Sequence, residues 1–312
     1  ELGATLRRIA SEGPDALYRG RVAEAIAGAS WLSADDLAAH RSEWVEPLRR
    51  AYRAVEVCEL PPNTQGAAAL VGLGVAEELD PGLHGEIESV KLALDWAADA
   101  IGDGPVELPD LDRLRARIRP DLALDAKVWP PDGTTYLCAV DGDRNAVSLI
   151  QSTFQHFGSG VLAGDTGIVL QNRGGCFSEA DGHPNRLAPA KRPFHTIIPG
   201  LLLRDGALFG PFGVMGGHMQ GQAHVQLVRN LVDRELDPQG ALDRARFRVD
   251  GGRSVALEPG LWGEADALRA VGHAVVLAQE PRKFGVGQVI LALDAALWGG
   301  SDGRADGYAG GL

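Results

Sequence analysis

A threonine hydroxyl is a weak nucleophile until a base takes its proton. A threonine at the start of a chain carries such a base in its own α-amino group, whose unperturbed pKa of about 7.7–8.0 suits proton transfer near neutrality. The run Asp132-Gly133-Thr134-Thr135-Tyr136 can generate such a residue. In self-cleavage the Thr134 hydroxyl attacks the Gly133 carbonyl, the amide shifts to an ester, and water releases the new N-terminus. Glycine at the preceding position leaves that carbonyl uncrowded and tolerates a strained backbone. A Gly-Thr-Thr step entering a strand is also ordinary strand sequence, so the run by itself leaves both readings open.

Other chemistry-bearing patterns fail on spacing. Asp141-x-Asp143-x-Asn145 imitates the opening of a calcium loop, but Ala146 stands where the loop needs glycine and Ser152 where it needs glutamate, so a hairpin turn is expected. Gly72-x-Gly74 lacks the third glycine of a dinucleotide site and lies inside a helical pattern. His218 and His224 share a helix end without a carboxylate at ligand spacing, and no HExxH, Walker or G-x-S-x-G motif occurs. Cys58, Cys138 and Cys176 are odd in number and have no metal or disulfide spacing, which makes a reducing compartment the default.

The elements that must position Thr134 are legible in outline. Residues 1 to 47 read as helices broken at Glu12-Gly13-Pro14 and Gly28-Ala29-Ser30. The first has apolar positions at Leu2, Leu6, Ile9 and Ala10, and Ser33 caps a short one ending at His40. A strand is predicted over 52–60, the loop Pro61 to Gly66, helices over 67–78 and 83–101, and a polar connector from Gly102 to Pro131 with one helix near 111–118. Hairpin strands follow around the Asp141 turn, with further strands at 168–170, 196–204, 207–214, 255–257, 274–277 and 288–293. Helices are predicted at 220–232, 238–245 and 264–271. This mixture favours an α+β layered domain. With 30 basic against 42 acidic side chains and a formal charge of −12, phosphate is repelled and nucleic acid is not an expected partner. No apolar run approaches the roughly 20 residues that span a bilayer, so a membrane span is not expected and a cytoplasmic location is. The chain begins without Met and with no signal-peptide pattern, as if in the middle of something.

The run from Gly133 to Ser178 resembles the start of the small subunit in the γ-glutamyltransferase (γ-glutamyltranspeptidase) family of N-terminal-nucleophile hydrolases. The match runs through Gly133-Thr134-Thr135, Val140-Asp141, Asn145-Ala-Val-Ser148, Phe157-Gly-Ser-Gly160, Thr166-Gly-Ile168 and Phe177-Ser178. Lys191-Arg-Pro193, Met215-Gly216-Gly217 and Ser301-Asp-Gly-Arg304 continue it, and Glu12 to Gly20 and Leu60 to Gly66 look like the later part of the large subunit. The resemblance implies a four-layer αββα sandwich, with 1–133 as large-subunit-like and 134–312 as small-subunit-like segments. The family's upstream portion, including the arginine that holds the glutamyl carboxylate, lies outside the matched region.

Carried over by position, the resemblance makes Thr134 the processing site and nucleophile, with Thr135 beside its amino group. It makes Ser152 the hydroxyl that assists processing, and Gly216 and Gly217 the oxyanion-hole N–H donors. His195 and Thr196 fall beside the acyl pocket. It implies no cofactor and no metal, a small amide as substrate, and association of the cleaved pieces into a homo-oligomer. The departures concern substrate: Cys176 stands where γ-glutamyl enzymes carry an acidic residue that grips the substrate amino group, and Phe154 where an asparagine is common. Arg173, in Gln171-Asn-Arg-Gly-Gly-Cys176, reads either as a cation for a different acid group or as a solvated side chain. The expected function is therefore γ-glutamyltransferase-like hydrolysis or transfer. An amidase or acylase acting on another small amide is the first alternative, and an inactive remnant or partner-associating subunit the second.

Overall fold

A computed structural model describes residues 1–79, 81–128 and 133–311, so Asp132 lies outside the described residues. The chain forms two compact units, one of residues 1–45 and 152–175 and the other of residues 46–151 and 176–312.

The first unit holds α1 (Leu2–Glu12), α2 (Asp15–Tyr18), α3 (Gly20–Gly28) and α4 (Ala34–Ala39). Ser33 caps α4 in a capping box: its hydroxyl accepts the Asp36 N–H at 3.1 Å, and the Asp36 carboxylate accepts the Ser33 N–H at 2.8 Å. Val22, Ile26 and Ala163 form the core of this unit. The apolar stripe predicted on α1 does not form that core, because Leu2 and Leu6 stand exposed and Thr5 is the buried position, donating to the Thr166 carbonyl at 2.8 Å. The strand predicted at 168–170 reduces to one bridge between Leu162 and Val169, since Gly164 and Gly167 take left-handed backbone on the way.

The second unit is built on a six-stranded antiparallel sheet of order β1 (Leu48–Tyr52), β2 (Val55–Glu59), β5 (Gly200–Arg204), β6 (Ala207–Met215), β10 (Val286–Ala292) and β11 (Leu297–Ser301). Sequence pattern alone misses β1 because two arginines interrupt it. As an edge strand it can carry them, and Arg49 meets Glu56 at 2.9 Å. One face of the sheet is covered by α5 (Gly66–Ala76) and α8 (Met219–Val232), with α6 (Leu83–Ala100) packed on α5. Every residue of α5 is buried. Gly72 lets α8 approach, since a Cβ there would lie 2.8 Å from Val225 Cγ2, so the failed dinucleotide motif is a helix-packing device. The opposite face receives the hairpin of β3 (Gly133–Val140) and β4 (Ala146–Phe154), with β3 resting on β6 and β10. The Asp141 carboxylate makes the hairpin turn by accepting the N–H groups of Asp143 and Asn145, at 3.0 and 2.8 Å. Helix, sheet, sheet is thus the layer order in this unit, an α+β arrangement. Leu137, Val147 and Leu149 on the outer hairpin face stand exposed.

Smaller elements complete the unit: α7 (Leu111–Arg115), α9 (Pro238–Asp243), and a three-stranded sheet of β7 (Phe247–Gly251), β8 (Ser254–Leu257) and β9 (Ala274–Leu277), with α10 (Ala265–Ala270) in the crossover to the parallel strand β9. The chain joins β7 to α8 through side-chain amides. Gln222 accepts from the Val249 N–H at 2.8 Å and donates to its carbonyl at 3.1 Å, and Gln226 does the same for Phe247, at 3.1 Å each way. None of the described helices is long and apolar enough to cross a membrane.

A buried polar chain runs from α6 into this region. Lys91 donates to the Leu124 carbonyl at 2.8 Å and His273 Nδ1 at 3.1 Å, and pairs with Glu88 at 3.0 Å. His273 Nε2 faces His84 Nδ1 at 2.8 Å, and His84 Nε2 faces the Arg119 carbonyl at 2.7 Å. A carbonyl can only accept, so His84 presents a proton on Nε2, and because Lys91 donates to His273 Nδ1, the His273 proton sits on Nε2. Burial, then the charge of Lys91, pushes His273 down to about 3. A histidine depressed in the folded state contributes stability above its unfolded pKa of about 6.5 that is lost as pH falls towards the folded value, at up to about 1.4 kcal/mol per pH unit. Chemical denaturation at pH 8, 6 and 4.5 is predicted to show this loss, and His273→Asn to start lower at pH 8 and fall less steeply. An unchanged slope would refute the assignment.

Candidate functional site

Thr134 lies at the second position of β3, where side chains alternate between faces. Tyr136 is buried and Thr135 and Leu137 are exposed, so Thr134 shares the Tyr136 face, which is turned to the six-stranded sheet, and Thr135 points the other way. Tyr136 settles over Gly213 of β6, where a Cβ would lie 2.6 Å from the ring carbon Cζ. Its hydroxyl meets Ser148 Oγ at 2.9 Å, and Ser148 reaches the Phe212 carbonyl at 3.3 Å, which pins the hairpin to the strand below. Cys138 shares this face, but burial pushes its thiol up to about 11, so it is no thiolate rival to the threonine.

At the end of β6, Gly216 and Gly217 have φ of 135° and 60°. Side chains rarely adopt this backbone, and a Cβ on Gly216 would sit 3.1 Å from Gly285 Cα. Their carbonyls accept the N–H groups of Met219 and Gln220, at 3.0 and 3.1 Å, and so begin α8. Their own N–H groups donate to no described residue. Two donors at the head of a 14-residue helix form a place suited to negative charge.

The wall behind this turn is rigid and charged. Arg246 is buried and donates to the carbonyls of Phe284 and Gly285, at 3.1 and 2.9 Å, and to Asp302 at 2.7 Å. Asp302 also accepts the Gly287 N–H at 3.0 Å, and Arg304 joins Asp302 to Glu258. Burial pushes Asp302 up, but Arg246 and Arg304 outweigh it and hold the carboxyl below its ordinary range. The closing Ser301-Asp-Gly-Arg304 run therefore supports the turn from behind.

His195 and Thr196 lie beside the loop that precedes α5. The His195 N–H donates to the Asn63 carbonyl at 2.8 Å and its carbonyl accepts the Gln65 N–H at 3.0 Å. Thr196 is fully buried. Gln65 Nε2 donates to the carbonyls of both Thr196 and Gly217, at 2.6 and 2.9 Å. Cys176 is buried, and its carbonyl accepts from Asn185 Nδ2 at 2.6 Å; Asn185 Oδ1 in turn accepts the Phe194 N–H at 2.7 Å. Pattern reading missed Gln65 and Asn185. Both occur in turn-like stretches; the partners of Gln65 are remote in sequence, and those of Asn185 lie nine residues away on either side.

Ser152 and Arg173 belong to the other unit. Arg173 is buried rather than solvated, with its guanidinium 4.4 Å from the Phe154 ring centroid. Its Nη2 donates to Ser152 Oγ at 3.1 Å, which also accepts the Phe154 N–H at 2.9 Å.

Two histidine groupings bear on metal chemistry. His224 is buried and, despite the absence of a carboxylate nearby in sequence, meets Glu59 of β2 at 2.6 Å. His224 Nε2 accepts the Val214 N–H at 3.3 Å, so Nδ1 donates to Glu59, whose carboxyl burial pushes up. His84, Glu88 and His273 bring three donor atoms within 4.8 Å of one another, but Lys91 already neutralises Glu88 and the imidazoles are bonded to each other.

A γ-glutamyltranspeptidase family model matches residues 1–312. A glutathione hydrolase-like YwrD proenzyme of Bacillus subtilis is 33% identical over an alignment spanning all of this chain and 65% of that protein. An oxamate amidohydrolase proenzyme of Klebsiella pneumoniae is 34% identical over 99% of this chain and 64% of its own length. Cephalosporin acylase from Bacillus halodurans superposes with a TM-score of 0.91 at 38% identity, covering 98% of this chain and 61% of that one. A chain of γ-glutamyltranspeptidase from Pseudomonas nitroreducens, complexed with L-DON, covers 57% of this chain and 99% of itself at 25% identity and TM-score 0.52. The chain thus spans less than two thirds of the length of these curated relatives.

The Tyr136–Gly213 contact gives a structural prediction. Gly213→Val places side-chain atoms inside the Tyr136 ring, and overpacking of this kind costs about 1–3 kcal/mol. A urea melt is expected to show that loss, and unchanged stability would mean that β3 does not lie as closely on β6 as described.

Proposed function

The chain belongs to the γ-glutamyltranspeptidase family, and from that premise we propose that it is a self-processing hydrolase or acyl transferase for small amides that works through an ester on Thr134. The observation that carries the proposal is the glycine turn at the end of β6. It presents the N–H groups of Gly216 and Gly217, uncommitted to described residues, on the strand against which the Thr134 face of β3 is packed. The P. nitroreducens chain adds support by its size, because it covers 57% of this chain and the segment from Thr134 to residue 312 makes up about the same fraction.

In this scheme the Thr134 hydroxyl first attacks the Gly133 carbonyl, and hydrolysis of the resulting ester frees the Gly133 carboxylate and the Thr134 α-amino group. That amine then takes the hydroxyl proton as the oxygen attacks a substrate amide. The tetrahedral oxyanion accepts from the Gly216 and Gly217 N–H groups, each donor worth typically ~10²–10³ in rate. The amine passes its proton to the departing amine, and water or a second amine resolves the ester. The residue's own amine moves each proton, so the scheme calls for no cofactor.

Ser152 is assigned the processing role that the resemblance implies. Arg173 is assigned to holding Ser152, and a substrate carboxylate would have to compete with that bond. Thr135 flanks the freed amine, and its side chain faces away. His195 and Thr196 are assigned to the acyl-pocket wall. Association of the cleaved pieces, and of copies of the processed chain, belongs to the same proposal.

A second reading of the substrate is favoured by Cys176. It is buried and is not a carboxylate where the resemblance places the group that grips an ammonium, and an acylase and an amidohydrolase are among the relatives. Rates on γ-glutamyl and simple acyl anilides separate the two, and preference for the γ-glutamyl compound would set the acylase reading aside.

Denaturing electrophoresis with N-terminal sequencing tests the scheme. Purified material is predicted to yield pieces beginning at Glu1 and Thr134, with cleavage abolished in Thr134→Ala and slowed in Ser152→Ala. A wild-type chain that stays intact through long native incubation contradicts it.

A further inference from the structure

Two successive glycines in left-handed backbone can aim their N–H groups in many directions, so a turn that binds an oxyanion needs outside restraints. One carbonyl of the pair, that of Gly217, is gripped by a side chain remote in sequence. Gln65 is buried, and its amide nitrogen has two protons and two acceptors, the Gly217 carbonyl at 2.9 Å and the Thr196 carbonyl at 2.6 Å. Its backbone N–H holds the His195 carbonyl at 3.0 Å. The opposite end of the amide is hemmed in by α8, where a Cβ on Gly221 would lie 3.4 Å from Gln65 Oε1. Gly66 fixes the position from below, because a Cβ there would fall 2.8 Å from Glu59 Cβ. The side chain is therefore clamped, with donors aimed at fixed points.

We propose that Gln65 is a positioning residue for the acyl-transfer step, coupling the proposed oxyanion turn to the proposed acyl-pocket wall through one amide. This rests on the functional reading above. The Met219 N–H pins the carbonyl of Gly216 at 3.0 Å and with it the peptide plane that carries the Gly217 N–H, while Gln65 and the Gln220 N–H hold the Gly217 carbonyl and so fix the next peptide, Gly217–His218, which sets the backbone rotation at Gly217. A displacement of His195–Thr196 by substrate would reach the turn through the same amide. Because Gln65 contacts carbonyls and not the reacting atoms, its loss lowers the quality of the oxyanion donors without touching ground-state binding.

The test compares wild type with Gln65→Met, which keeps length and removes both donors, and with Gln65→Asn, which keeps the donors on a shorter arm in case Met destabilises the fold. Anilide hydrolysis is measured alongside inhibition by an alkylboronic acid, whose tetrahedral anion on Thr134 mimics the oxyanion. Gln65→Met is predicted to lower kcat about tenfold or more, below the ~10²–10³ of an outright lost donor. KM is predicted to change little and boronate affinity to fall by the same factor as kcat, with Gln65→Asn intermediate. A kcat within twofold of wild type in a folded Gln65→Met, or equal losses in KM and kcat with boronate affinity unchanged, overturns the proposal. Hydrogen exchange at Gly216 to Met219 in the Thr134→Ala background needs no activity. Faster exchange on adding Gln65→Met supports the restraint, and unchanged exchange overturns it. An inactive wild type would remove the functional reading, while the exchange result still decides the part played by Gln65.

Discussion

Stacked β-sheets ordinarily lie about 10 Å apart with side chains from both filling the gap. Here an aromatic ring from one sheet is lowered onto a bare backbone position of the other, Tyr136 onto Gly213. The hydroxyl then ties off through Ser148 to the Phe212 carbonyl, so the hairpin is located by a close contact and by hydrogen bonds at once. Everything proposed for Thr134 depends on this seat. The residue is two positions from Tyr136 on the same face, and the glycine turn is three positions beyond Gly213 on the same strand.

The helical side explains why the lower strand is a firm support. α5 is buried at every position and α8 lies against it, with Gly72 opening the space for Val225. α8 carries buried amides at Gln222 and Gln226 that complete the backbone hydrogen bonding of β7, and a histidine, His224, bonded to Glu59 of β2. Each of these polar groups would be costly if left unpaired. Together they fix the helix whose first turn begins at Gly216 and Gly217.

Local pattern made much of this legible. Caps, glycine breaks and the Asp141 turn act within a few residues, and Ser33, Gly13 and Asn145 do what their spacing predicts. The edge strand β1 was not legible, because Arg49 and Arg50 are tolerated only by tertiary placement, and Ile168 to Leu170 looked like a strand until its glycines bent the chain. Thr134 and the Gly216–Gly217 turn were singled out by the family resemblance, since the Gly-Thr-Thr run by itself leaves two readings open. Gln65, Asn185 and the burial of Arg173 did not, since an amide's or guanidinium's partners are set by residues that meet only after folding. Family membership narrows the reaction class, and Cys176, where the resemblance places an acidic residue, is the position on which the proposed choice between a γ-glutamyl and another acyl group turns.

The central claim is that Thr134 carries the acyl group. Acid quench during turnover of a slowly hydrolysed acyl ester, followed by proteolysis and mass spectrometry, tests this directly. The account predicts a mass increment equal to the acyl group on the peptide that begins with Thr134, and none in Thr134→Ala. An adduct on Ser152 or a cysteine, or turnover with no covalent adduct on that peptide, would contradict it.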